Sequence, residues 1–176
     1  MVISNGLYRK GGQTMIRDNL VMENVRIIFK NFSGKEDKYN RAGDRNFCVV
    51  IEDEDEAERL SSMGWNVKAL RPIEEGGDQR FYIQVAVSYK NIEPNIYMVT
   101  SHNKVRLSES TVGNLDSADI KNVDLIISPY NWEVNGKSGV KAYCKTMYVT
   151  IDEDVFAGKY SFDDDFAQAE DDIPFM

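Results

Sequence analysis

The chain has 176 residues, 42% of them hydrophobic, with two cysteines and a formal net charge of −8. That length suffices for one full core and falls short of two ordinary domains. No apolar run approaches a membrane span, and Met1 to Asn19 has no continuous apolar segment before a small-residue cleavage site, so a soluble, cytoplasmic protein is expected.

The charge is unevenly placed. Six of the 29 acids lie from Ser161 onward, where Lys and Arg are absent, so residues 1–160 hold 23 acids against 21 bases. Six more acids fall between Glu52 and Glu58, leaving 17 acids against the same 21 bases elsewhere. Most of the body is mildly basic, and a polyanionic partner is not excluded by the overall sign.

In chain order, residues 1–19 are expected to be a flexible leader, and the dominant signal after them is period-two alternation of Val, Ile, Tyr and Phe. It predicts strands over 21–32, 46–51, 66–70, 80–90, 96–100, 104–107, 123–132 and 140–151. Between the first two lies a polar loop with Lys30, Lys35, Lys38, Tyr39, Arg41 and Arg45, together with Gly34 and Gly43. Such loops are often functional. Carboxylates followed by an apolar helical pattern and Gly64 predict a helix over 53–63, and a shorter helical turn is expected over 115–120. Trp65, with Lys68 and Arg71, follows the helix stop and is a candidate extension of a binding path. Seven or eight short strands with one real helix indicate a mainly β fold, a small barrel or sandwich.

Gly136-Lys137-Ser138 superficially resembles a phosphate loop, but Asn131 occupies the position that needs glycine, and a strand follows instead of a helix. Asn135-Gly136 is instead the common two-residue hairpin turn. Pairing Val134 with Lys137 sets Trp132 opposite Gly139, Tyr130 opposite Lys141, Ser128 opposite Tyr143 and Ile126 opposite Lys145, all on one face. The other face carries Leu125, Ile127, Pro129, Val140, Ala142 and Cys144, a core surface. Tyr130, Trp132 and Tyr143 interleaved with Lys141 and Lys145 offer rings for bases and cations for phosphates, the needs of a single strand of nucleic acid.

Catalysis is poorly supplied. His102 is the only histidine, which rules out a His-rich metal site, and consecutive acids at 52–58 point to different sides of a helix. Cys48 and Cys144, each in an apolar run, are expected to be buried thiols. No cofactor and no catalytic residue are expected.

The chain closes with Asp171-Asp172-Ile173-Pro174-Phe175 followed by Met176. The five residues resemble the C-terminal peptide of bacterial and phage single-stranded DNA-binding proteins, with the departure that Met176 moves the α-carboxylate off the ring residue. NFSGKEDKYNRAGDRNFCVVI, GWNVKAL and VDLIISPYNWEVNGKSGVKAY resemble a family of phage-encoded single-stranded DNA-binding proteins, over roughly residues 20–160. The resemblance implies an OB-type antiparallel barrel with extra strands over 20–160, a disordered acidic interaction tail over 161–176, and a role in phage DNA replication or recombination within the host cytoplasm. It also implies that Phe175 hooks replication or recombination proteins while the acids before it compete with DNA. A homo-oligomer is compatible with the pattern. Two rival readings stand beside it: an all-β phage structural module, and a metal-dependent nuclease using the 52–58 acids.

Overall fold

The structure is a computed structural model and describes residues 7–10 and 13–152. The acidic tail expected over 161–176 lies outside the described residues. The strands are β1 (Leu7–Lys10), β2 (Gln13–Ile16), β3 (Leu20–Asn31), β4 (Arg45–Ile51), β5 (Lys68–Leu70), β6 (Arg80–Val87), β7 (Asn95–Val99), β8 (Lys104–Leu107), β9 (Ile120–Val134) and β10 (Lys137–Ile151). One α-helix, α1 (Glu54–Met63), and a 3-10 turn at Val112–Asp116 complete the described elements.

Eight strands form one sheet in the order β5-β6-β4-β3-β9-β10-β7-β8, and a further pairing of β6 with β10 closes five of them into a barrel. Numbering the barrel strands β3, β4, β6, β9 and β10 as one to five, the circuit is 1-2-3-5-4-1, the connectivity of an OB-type barrel. The barrel is mixed rather than purely antiparallel, because the closing pair is parallel, with Ala142 opposite Val85 and Tyr143 opposite Ala86. β7 and β8 extend the sheet beyond the barrel as an arm on β10.

Alternation accounts for the core. The inward residues of β9 and β10, Val123, Leu125, Ile127, Val140, Ala142, Cys144, Met147 and Val149, are all buried, and Phe32 stacks on Phe47 at 5.3 Å between ring centroids. The β9–β10 hairpin turns through Asn135 and Gly136, both at positive φ (51° and 78°), the conformation that favours this dipeptide. The register expected from that turn holds from Val134–Lys137 to Ser128–Tyr143. It then slips: Ile126 faces Thr146, and Lys145 is the extra residue of a bulge. Fifteen-residue strands cannot wrap a small barrel without such kinks, which increase local twist and bend the strand. β3 bends likewise, at irregularities between Met22 and Val25 and between Ile28 and Asn31. Asn24 and Phe29 there take positive φ of 54° and 52°.

Helix α1 begins where expected. The Asp53 side chain accepts the Asp55 N–H at 3.0 Å, Glu54, Asp55 and Glu56 occupy the positive end of the helix dipole, and Gly64 ends it at φ 111°. The acids at 52–58 are thus largely the solvated first turn, while Ala57, Leu60 and Met63 bury against β4 and β6. The helical turn expected at 115–120 forms slightly earlier, at Val112–Asp116, because Val112 and Leu115 are the apolar pair that buries.

Within the stretch expected to be a flexible leader, β1 and β2 pair as an antiparallel hairpin. Its end is tied to the barrel by Asn131, whose Oδ1 accepts the Ile16 N–H at 2.9 Å and whose Nδ2 donates to the Ile16 carbonyl at 2.7 Å. Ile16 is buried in the main core. No helix among the described residues is long and apolar enough to cross a membrane.

Cys48 and Cys144 are free and buried. Burial pushes their thiols up from the ordinary 9.0, to about 11 for Cys48 and about 12 for Cys144. The folded state therefore keeps protons that the unfolded chain releases first, so this contribution is whole below about pH 9 and is lost as pH rises toward 11–12. Urea midpoints should be level between about pH 7 and 8.5 and fall by pH 10.5, with a Cys144→Ala variant showing a shallower fall on the same pH series.

Candidate nucleic-acid interface

The outer face of the β9–β10 ribbon is built by the turn register. Tyr130 and Trp132 from β9 stand beside Lys141 and Tyr143 from β10, with Tyr130 and Tyr143 edge to face at 6.2 Å. Lys141 Nζ lies 5.2 Å from the Tyr143 ring centroid, within cation–π range. Trp132 rests flat on the ribbon because its partner is Gly139: a Cβ there would come within 2.7 Å of the indole. The single missing methyl at residue 139 creates the seat for the ring.

Opposite the ribbon stands the loop joining β3 to β4, residues 32–44. It is braced rather than open chain. Asn31 and Lys35 exchange two hydrogen bonds at 2.9 Å, and the Asn40 amide donates to the Asp44 carbonyl at 2.7 Å while its Oδ1 accepts from Asn46 at 2.8 Å. Gly43 N–H donates to the Gly34 carbonyl at 2.8 Å, and both glycines take positive φ; a Cβ on Gly34 would meet the Gly43 backbone at 3.1 Å. At the loop's root the Asp116 carboxylate accepts the N–H groups of Phe32 (2.6 Å) and Ser33 (3.0 Å). A loop held this way fixes where Tyr39 and Arg41 stand.

Ribbon and loop face each other across a cleft of about 970 Å³ whose floor is the outer surface of β4 and β6. Seven of the residues expected from sequence line it together: Tyr39, Arg41, Arg45, Trp65, Trp132, Lys141 and Tyr143. Tyr39 is 89% exposed, a ring with no packing role. Arg45 is held at one end, its guanidinium 5.6 Å from the Tyr89 ring and 3.6 Å from the Glu109 carboxylate. Arg41 pairs with Asp44 at 3.4 Å, an exposed contact of little energy that leaves the cation available.

Trp65 and the remaining expected residues are placed differently. Trp65 borders the cleft floor but is only 2% exposed, so it has no free face for a base and acts as core, as a Trp directly after a helix stop packs back on the barrel. Lys30 turns away: its Nζ donates to the Ala118 carbonyl at 3.1 Å, because the bulge at Phe29 redirects the strand. Tyr130 lies on the outer ribbon beside the cleft, 57% exposed. Lys35 is exposed on the loop, Lys38 lies over Tyr39 at 5.6 Å, and Lys145 is exposed on the β10 bulge.

Tyr89, Lys90, Gln84 and Asn66 also line the cleft, unanticipated from sequence as binding residues. Tyr89-Lys90, an aromatic–lysine pair one residue beyond β6, was the available signal. Burial pushes the Tyr89 hydroxyl up to about 12, against the pull of the Arg45 guanidinium, and its buried oxygen has no hydrogen-bond partner.

In OB barrels the face of strands two and three, with the loops between strands one and two and between four and five, takes oligonucleotides and oligosaccharides. The cleft occupies that position, and its aromatic and cationic lining makes this an OB barrel of the nucleic-acid-binding class. The chain belongs to the phage single-stranded DNA-binding domain family: the family described as "Putative phage ssDNA-binding domain" matches residues 11–174. The single-stranded DNA-binding protein from bacteriophage Enc34 shares the fold, with a TM-score of 0.51 and 10% identity over 94% of this chain and 99% of that one. The same phage protein in complex with ssDNA gives a TM-score of 0.51 and 9% identity over 87% and 97%. No curated protein sequence matches the chain.

Replacing Gly139 with Val should lift the Trp132 indole from the ribbon. Acrylamide quenching of tryptophan emission should rise while buried Trp65 still supplies a protected fraction, and the melting temperature should stay close to that of the parent.

Proposed function

We propose that the chain binds single-stranded DNA without sequence preference and protects it during phage DNA replication and recombination in the host cytoplasm, as a binding protein and not an enzyme. The observation that carries this is the meeting of Tyr39, Arg41 and Arg45 from one side with Trp132, Lys141 and Tyr143 from the other across an open cleft. Bases stack on the rings, the cations follow the phosphates, and among the described residues no helix is offered to a major groove. Family membership and the fold shared with the Enc34 protein support the same reading.

Binding should strongly favour single-stranded over blunt duplex DNA. Its log–log salt slope should be about −0.7 per neutralised phosphate, or roughly −2 to −3.5 for three to five contacts. Trp132→Ala should weaken binding by about 1–3 kcal/mol with the fold intact. Trp65→Ala should instead cost about 3–5 kcal/mol of stability. Fluorescence titration and urea unfolding of both variants decide the matter; equal affinity for duplex, or a Trp132 effect seen only in stability, would sink the reading.

Asp171, Asp172, Ile173, Pro174 and Phe175 are proposed to recruit replication or recombination proteins, Phe175 filling a partner pocket while the preceding acids keep it in solvent and compete with DNA for the cleft. Removing residues 161–176 should tighten single-strand binding, most at low salt, and leave folding unchanged. Phe175→Ala should spare DNA affinity yet abolish capture of a replication protein.

A further inference from the structure

The β7–β8 arm carries an aromatic and cationic cluster that the cleft does not use. Tyr148 of β10 is opposite Tyr97 of β7, which is opposite Arg106 of β8, so all three lie on one face. It is the outer face, because Ile96, Leu107, Met147 and Val149 point to the core. The two tyrosine rings stack at 5.0 Å and 11°, and Lys104 Nζ sits 5.1 Å and 5.9 Å from their centroids. Arg106 is steadied by a 3.1 Å hydrogen bond from Nη2 to Asn95 Oδ1, and Tyr148 is 38% exposed. The acid in register with Tyr148 is Asp124, whose carboxylate accepts the Asn24 N–H at 3.0 Å.

A core role does not explain this arrangement, since the stacked rings and both cations sit on the solvent side of the sheet. What marks it as a continuation of the cleft is β10. Lys141 and Tyr143 at the cleft, Lys145 on the bulge and Tyr148 on the arm all point outward from that one strand. The bulge keeps this alternation in step: Cys144 and Met147 both face inward, with Lys145 between the two aromatic groups. The distance from Tyr143 to Tyr148 along the strand is roughly 15 Å, a few nucleotides of extended chain.

We propose that Tyr97, Tyr148, Lys104 and Arg106 form a second stacking and phosphate subsite, and that a single DNA strand leaving the cleft passes Lys145 to reach it. This rests on the single-strand reading above. The subsite adds affinity only for a strand long enough to span both, so its signature is a length dependence.

The test compares oligothymidylates of about 6 and about 18 nucleotides, within and beyond the usual range for one OB barrel. A Lys104→Gln, Arg106→Gln double variant changes two exposed side chains and leaves the core alone. It should bind the short strand as the parent does, lose about tenfold for the long strand at low salt, and shorten the long-strand salt slope by about 1.4, for two phosphates. Tyr148→Ala should lower long-strand affinity with the salt slope unchanged. Long-strand affinity and slope equal to the parent's in both variants would overturn the proposal while leaving the cleft reading intact. A variant that changed only the sedimentation coefficient would also overturn it, showing the patch to be an interface between copies of the chain. If the parent bound neither oligonucleotide, the single-strand reading itself would fail and the subsite with it.

Discussion

The geometry of the cleft depends on the short parallel pairing of β6 with β10, which spans only Ala142–Val85 and Tyr143–Ala86. Along the sheet, the ribbon with Trp132, Lys141 and Tyr143 and the strands β4 and β6 lie on opposite sides of β3. Closing the sheet brings them edge to edge, so that Tyr143 of the ribbon stands next to Ala86 of the cleft floor and the 32–44 loop overhangs both. The pairing itself is brief. It is secured by the inward residues around it, Val85, Val87, Phe47 and Ala142, which share one core. Burial of that apolar surface, rather than the few ladder hydrogen bonds, holds the two halves of the cleft together.

Closure also explains the irregularities of the backbone. Two fifteen-residue strands and a twelve-residue strand must curl around a small barrel, and the bends at Asn24, Phe29 and Lys145 are where they do so. Two of these bends redirect a basic side chain. The Phe29 bulge sends Lys30 to the Ala118 carbonyl, and the β10 bulge leaves Lys145 exposed between two aromatic groups. The same local device thus removes one cation from the cleft and keeps another on the outer face.

Electrostatically, the net charge is a poor guide to the surface that matters. Acids are concentrated at the solvated start of α1 and after residue 160, whereas the cleft gathers Arg41, Arg45, Lys90 and Lys141 with Asp44 and Glu109 as the nearby counter-charges. Both counter-charges already pair with arginines, at 3.4 Å and 3.6 Å, and are themselves substantially exposed. The Arg41–Asp44 pair, exposed on both sides, is weak, whereas the Arg45 side chain is largely buried.

The sequence alone determined whatever local geometry controls: period-two alternation marked the strands, Asn135-Gly136 set the hairpin register through Ser128–Tyr143, and the carboxylates with Gly64 bounded the helix. Alternation also separated the ribbon's core face from its aromatic and basic face, because a register of two residues allows only two sides. Tertiary structure decided the rest. Trp65 became core because packing against the barrel outweighs exposing an indole, and Ile16 joined that core through Asn131, 115 residues away. The bulge at Lys145 answers to barrel curvature, which no short window of sequence encodes. Tyr89 and Lys90 entered the cleft only because β6 closes against β10. Propensity and pattern act over a few residues, while the cleft is made by chain segments that meet after closure.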